Sequence, residues 1–212
     1  MTTSPIEIRS VRNQISKYVE DGVLDERVIE SLLVNQVFIP KECELWDYKR
    51  DVAKDAVSIA ETVLTIVSFY NTYGGFVIYG VDESLDDIEF LPYGIVKGDL
   101  DLRQLRQKIE NYEGEPLDIS YSEQERNING KNYLFGLLHI PKRPISKFPI
   151  FMGKNGPEKN NGKPVFDKDE TFLRVLDKCI PAKRKEHYQL LQGQRENEYL
   201  WDLDSPLVNW LV

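Results

Sequence analysis

Cysteine and histidine are nearly missing from this sequence, which holds only Cys43, Cys179, His139 and His187. The two cysteines lie far apart and form no Cys-x-x-Cys pair. They read as free thiols in a reducing compartment, not as a staple or a zinc site. The histidines add no ligand spacing. His139, in Leu137-Leu-His139-Ile-Pro141, reads as a partly buried strand residue, and nothing local points to a Ser-His or Cys-His nucleophile. No apolar run approaches the ~20 residues that cross a bilayer. The N-terminus lacks the basic region and apolar stretch of a secretory signal, so a cytoplasmic location without a membrane role is expected. Gly74-Gly75 is not followed by the Lys-Ser/Thr of a P-loop, which argues against nucleotide hydrolysis of that kind. Internal repeats are absent, and only 155–163, rich in Asn, Gly and Lys, has biased composition.

What is present suits a globular domain with appendages: 212 residues, 41% hydrophobic and 29% charged. The formal charge of -8 argues against indiscriminate binding to nucleic acid. That charge is unevenly spread. From Lys142 to Lys185 there are 12 Lys and Arg against 5 Asp and Glu, a local balance of +7, which leaves -15 for the rest. A basic segment on an acidic protein is a candidate phosphate-facing surface, and equally a solvated loop.

The most informative stretch is Glu42-Cys-Glu44-Leu-Trp-Asp47-Tyr-Lys49, followed after an apolar run by Asp82-Glu83. Carboxylates separated in sequence but joined by a sheet can hold a divalent metal through oxygen ligands. Lys49, two residues after Asp47, can neutralise a scissile phosphate. On spacing alone, Glu42 and Glu44 also fit surface charges beside a strand, and Asp47–Lys49 a same-face surface pair.

Apolar spacing predicts an N-terminal helical hairpin, Ile6 to Tyr18 and Asp25 to Val34, with Asp25 placed as an N-cap. Leu45 to Tyr48 reads as a short strand, with Asp47 and Lys49 on one face and Trp46 and Tyr48 on the other. Glu44 falls on the face opposite Asp47 and is left as a bystander. Asp55 to Asn71 carries an apolar stripe at helical period, ended by Gly74-Gly75. Phe76 to Tyr79 reads as a buried strand and Leu102 to Tyr112 as a second amphipathic helix. Leu117 to Glu125 and Lys131 to Ile140 flank the hairpin turn Asn129-Gly130. A long loop from Pro141 to Phe166 follows, with a short strand at Pro149 to Met152. Thr171 to Val175 is a further strand, and Pro181 opens a helix to about Gln194. The whole is an α+β fold, a mixed β-sheet with packed helices. We divide it into a helical extension (1–37), the main domain (38–194) and an apolar tail (195–212). Trp201, Trp210 and the neighbouring leucines of that tail suit docking on the domain, on a second copy in a homo-oligomer, or on a partner protein.

Glu42-x4-Asp47-Tyr-Lys49, the long helix, Asn71-Thr-Tyr-Gly74-Gly75 and Gly80-Val-Asp82-Glu83 together resemble the Schlafen-type AlbA-like domain family (Schlafen AlbA_2). Phe172-Leu-Arg174-Val and Ile180-Pro181-Ala182 resemble its distal segment, so the likeness spans about 41–191. Asp47 stands where the family usually has glutamate, and Val175-Leu-Asp177 replaces an expected glycine. The resemblance implies either of two roles. One is a metal-dependent endonuclease using Mg²⁺ or Mn²⁺, acting on RNA such as tRNA, as in a cellular or antiviral defence effector. The other is a non-catalytic nucleic-acid-binding or regulatory module. By resemblance the catalytic set is Glu42, Asp47, Lys49 and Glu83, and the metal set Glu42, Asp47, Asp82 and Glu83. Lys142, Arg143, Lys147, Arg174, Lys183, Arg184 and Lys185 are the expected nucleic-acid-binding residues. For Arg174, in a predicted strand, the partner is an acid of this chain or an RNA phosphate. A third reading is a protein-interaction module built on the helical hairpin and tail.

Overall fold

The computed structural model describes residues 5–39, 42–83, 90–114, 116–144 and 147–182. Two helices open the chain, α1 (Pro5–Asp21) and α2 (Glu26–Leu32). Asp25 caps α2 by accepting the Arg27 backbone N–H at 3.0 Å. The second helix stops short of Val34. Asn35 and Gln36 both take left-handed backbone angles, and the chain reverses there into a hairpin of β1 (Leu33–Val34) and β2 (Val37–Phe38).

The central sheet is built from four strands in the order β3–β4–β8–β7. Strands β3 (Trp46–Lys49) and β4 (Gly75–Tyr79) are parallel, which requires a crossover, and α3 (Ala56–Asn71) supplies it. Asp55 caps α3 by accepting from the Val57 and Ser58 N–H groups. Strand β8 (Lys131–Ile140) lies antiparallel to β4 and carries β7 (Ser120–Ile128) on its other edge. The β7–β8 turn is Asn129-Gly130, both left-handed, as the dipeptide predicts.

Strand β4 is buried along its whole length, because the sheet is covered on both faces. Val77, Leu138 and Ile140 pack with α3 and with Leu105 and Ile109 of α4 (Leu102–Glu113). Phe76, Ile78, Phe135 and Leu137 pack with Ile15 and Val19 of α1 and with Val28, Ile29 and Leu32 of α2. A smaller second sheet, β1–β2–β6–β5, joins this second core; its last members are β5 (Val81–Glu83) and β6 (Phe90–Pro92).

Beyond β8 the long loop returns over α3 and ends in a hairpin of β9 (Phe172–Val175) and β10 (Lys178–Pro181). Two sequence expectations change here. Residues 149–152 form no strand, because Ile150 is held by a side chain instead: its N–H donates to Asn71 Oδ1 at 2.8 Å. Pro181 does not open a helix; it closes β10 opposite Phe172. The expected continuation to Gln194 and the apolar tail lie outside the described residues. Among those that are described, no helix is long and apolar enough to cross a membrane.

Candidate functional site

Side-chain alternation along β3 sets up the site. Trp46 and Tyr48 enter the core shared with α1 and α2. Asp47 and Lys49 face the other way, and their charged ends meet at 2.6 Å. Asp47 is almost wholly buried, at 2% exposure. A carboxylate in that position needs compensation, and β9 brings it. Arg174, itself 3% exposed, donates from Nη2 to Asp47 Oδ1 at 2.7 Å. Its Nε donates to the Cys43 carbonyl at 3.2 Å, and its guanidinium lies 5.0 Å from the centre of the Phe69 ring. Of the two partners open to Arg174, the structure shows the acid.

Glu42 completes the cluster. Its Oε1 accepts the Tyr48 backbone N–H at 2.6 Å, and its Oε2 lies 3.7 Å from Arg174 Nη2. Burial, then the neighbouring Asp47 charge, push the Glu42 carboxyl up to about 8. Burial works in the same direction on Asp47, but Lys49 and Arg174 outweigh it and hold that carboxyl below its usual range. Lys49 is raised: burial disfavours its charge, and Asp47 more than restores it. Lys49 and Arg174 thus keep their charge beside the ionised Asp47.

Helix α3 ends in a buried polar junction that fixes Arg174. Asn71 Nδ2 donates to the carbonyls of Ile150 and Phe172, tying the long loop and β9 to the helix. Thr72 Oγ1 accepts the Arg174 backbone N–H at 3.0 Å. Gly74 and Gly75 are needed by close approach. A Cβ at Gly74 would meet the Lys142 backbone nitrogen at 2.7 Å, and one at Gly75 would meet the Phe69 ring at 2.6 Å.

Asp82 and Glu83 do not join this cluster. Gly80, in the left-handed region at φ +92°, ends β4 and sends β5 into the second sheet. There Asp82 faces Arg50 at 4.0 Å, and Glu83 is exposed opposite Phe90. Among the described residues, no three acidic, histidine or cysteine side chains converge as metal ligands. Both Asp47 oxygens face cations of the chain and Glu42 Oε1 faces a backbone N–H. In this arrangement the acids do not fit a Mg²⁺ or Mn²⁺ ion.

The expected nucleic-acid-binding residues divide. Lys142 and Lys147 line a groove of about 610 Å³ with Phe148 and Phe151, both exposed. Arg143 is buried, and its Nη1 donates to the Lys147 carbonyl. Lys183, Arg184 and Lys185 lie outside the described residues. Glu113, at the end of α4, walls the same groove. Both its oxygens are buried without a hydrogen-bond partner among the described residues, and burial pushes its carboxyl up to about 9.

Lys49 has a groove of its own, about 590 Å³, with Lys54, Asp55, Ser58 and Thr62 around it. The groove runs along α3 from Asp55 to Thr65, whereas the Lys142 and Lys147 groove meets the helix at Tyr70.

Sequence reasoning missed one member of the acidic run. Glu44 is buried and ion-paired with Arg12 of α1, which fastens the N-terminal helix to the segment leading into β3. Arg12, on a helix whose other face is apolar, was the available signal. His139 reads as expected, a buried strand histidine whose Nε2 lies 3.0 Å from the Val19 carbonyl oxygen.

Comparison with known proteins returns no matching family model and no matching curated protein. Among solved structures, the chain is similar to the N-terminal domain of a protein described as related to the ATP-dependent DNA helicase RecG, from Nitrosomonas europaea. The match covers 61% of this chain and 82% of that domain, at 15% identity and a TM-score of 0.34.

Proposed function

We propose that this chain is a nucleic-acid-binding domain of the Schlafen AlbA-like kind, and that Lys49 is where its central cluster meets a phosphate. One observation carries the reading: Arg174, Asp47 and Lys49 form a chain of contacts from the core to a groove. Arg174 fixes Asp47, Asp47 fixes the Lys49 ammonium, and the Lys49 side chain is 45% exposed at the groove wall. Of the cluster's two cations only Lys49 reaches solvent, where it can meet an anion. Lys54 stands beside it in the same wall. Contacts of this type position a backbone without reading its sequence.

Metal-dependent cleavage of RNA is a second reading, supported by the adjacency of Glu42 and Asp47, which share the Arg174 guanidinium. A divalent ion would have to displace Lys49 or Arg174 from Asp47 and raise the local positive charge further.

The test is to incubate the protein with total tRNA and with single-stranded DNA, with and without Mn²⁺ or Mg²⁺, alongside Asp47→Asn. Retention of either nucleic acid without cleavage, weakening steeply with salt, is the expected result. Cleavage that needs both metal and Asp47 would replace this reading with the nuclease. No retention at low salt would refute both.

A further inference from the structure

Beside the Lys49 groove lies a second cleft, of about 440 Å³. The two share Asp51, Lys54 and Asp99 in their walls, so they are continuous. The second has aromatic walls. Tyr93 stands on one side, 47% exposed, and Tyr133 is part of the lining from β8. Each ring carries a cation. The Arg50 guanidinium lies 4.4 Å from the Tyr93 ring centre, and its Nη2 donates to the Tyr93 hydroxyl at 3.1 Å. Lys131 Nζ lies 4.6 Å from the Tyr133 ring centre.

The backbone holds the two walls in register. Gly80 N–H donates to the Lys49 carbonyl, and the Gly80 carbonyl accepts from both Tyr93 and Gly94. Ile95 then donates to the Leu134 carbonyl of β8. Tyr93 is thereby fixed to the end of the same strands that carry Lys49 and Tyr133.

We infer that this cleft takes an unpaired base of a single-stranded nucleic acid whose backbone passes Lys49. The inference rests on the nucleic-acid reading above and names its substrate class. An unpaired base offers two open faces for stacking on tyrosine, which a duplex hides. The cations beside the rings suit the flanking phosphates. Lys131 has no carboxylate partner among the described residues. Arg50 is paired with Asp51 at 3.3 Å and Lys54 with Asp99 at 2.9 Å, but at least one member of each pair is well exposed. Such surface pairs are weak and exchange readily for a phosphate. Asp51 and Asp99, in the walls of both grooves, accept hydrogen bonds from the amino groups of a base.

The test measures fluorescence anisotropy with a labelled single-stranded oligonucleotide and with its duplex, for the wild type, Tyr93→Ala, Tyr93→Phe and Tyr133→Ala. Thermal melts check that each variant is folded. Tyr93→Ala and Tyr133→Ala should each weaken single-strand binding by roughly 5- to 150-fold. Tyr93→Phe should stay close to wild type, and the duplex should bind more weakly than the single strand. If the wild type binds single strands and folded Tyr93→Ala binds as well as it does, this inference falls and the broader reading stands. Equal affinity for duplex and single strand would also overturn it. If the wild type binds neither, both fall together.

Discussion

Replacing Arg174 by methionine should cost this protein more stability than any exposed charge substitution. Methionine keeps much of the aliphatic bulk over the Phe69 ring but removes the guanidinium. Asp47 would then be left buried with Lys49 alone, and the Cys43 carbonyl would lose the Arg174 Nε donor at 3.2 Å. Because both partners of the Arg174–Asp47 pair are only 3% exposed, solvent cannot replace the missing charge. Removing one member of a buried pair typically costs about 3–5 kcal/mol. For a chain of this length that corresponds to a fall in melting temperature of roughly 6–20 °C. Urea unfolding gives the free energy directly, with the slope checked for constancy. The cycle is completed with Asp47→Asn and the double variant. Since the two residues touch, the double variant should lose clearly less than the sum of the single losses. A loss below about 1 kcal/mol for Arg174→Met, or strict additivity in the cycle, would refute the view that Arg174 exists to compensate Asp47.

The other predictions concern pH and backbone approach. Glu42 titrates at about 8 in the folded chain, above its unfolded value, so the folded state binds the extra proton. Its contribution is present in full below about pH 4.3, and it is lost as pH rises toward 8. The loss is at most about 1.4 kcal/mol per pH unit. Glu42→Gln should flatten that limb in urea titrations run from acid to alkaline pH, and an unchanged slope would count against it. Asp47 has the opposite sign: its lowered value gives stability above the unfolded carboxylate range that is lost on acidification. Gly75→Ala should destabilise by about 1–3 kcal/mol, because the new methyl meets the Phe69 ring and the Leu45 carbonyl; a neutral result by thermal melt would mean that α3 moves freely against β4.

Much of the fold was legible because the strong signals were local. Asp55 before an apolar stripe marked the start of α3, Asn129-Gly130 marked the β7–β8 turn, and alternation around Asp47 assigned the faces of β3 correctly. What escaped depended on distant partners. Nothing local to Glu44 reveals Arg12, thirty-two residues earlier on another element. Arg174 was noticed as an arginine in need of a partner, and only the packing of β9 against α3 chose Asp47. The expected meeting of Asp82 or Glu83 with Glu42 and Asp47 depended on the course of the chain beyond β4. Gly80 breaks that continuity and gives β5 to a different sheet. The same turn positions Tyr93, which no motif had singled out.

The central claim is that Lys49 presents the cluster's positive charge to a nucleic-acid phosphate. Salt titration of single-strand binding tests it most directly, comparing wild type and Lys49→Met by anisotropy between about 50 and 200 mM salt. Removing one phosphate contact should weaken binding uniformly across sequences and reduce the slope of log K against log salt by about 0.7. An unchanged slope and affinity in a folded Lys49→Met protein would contradict the account.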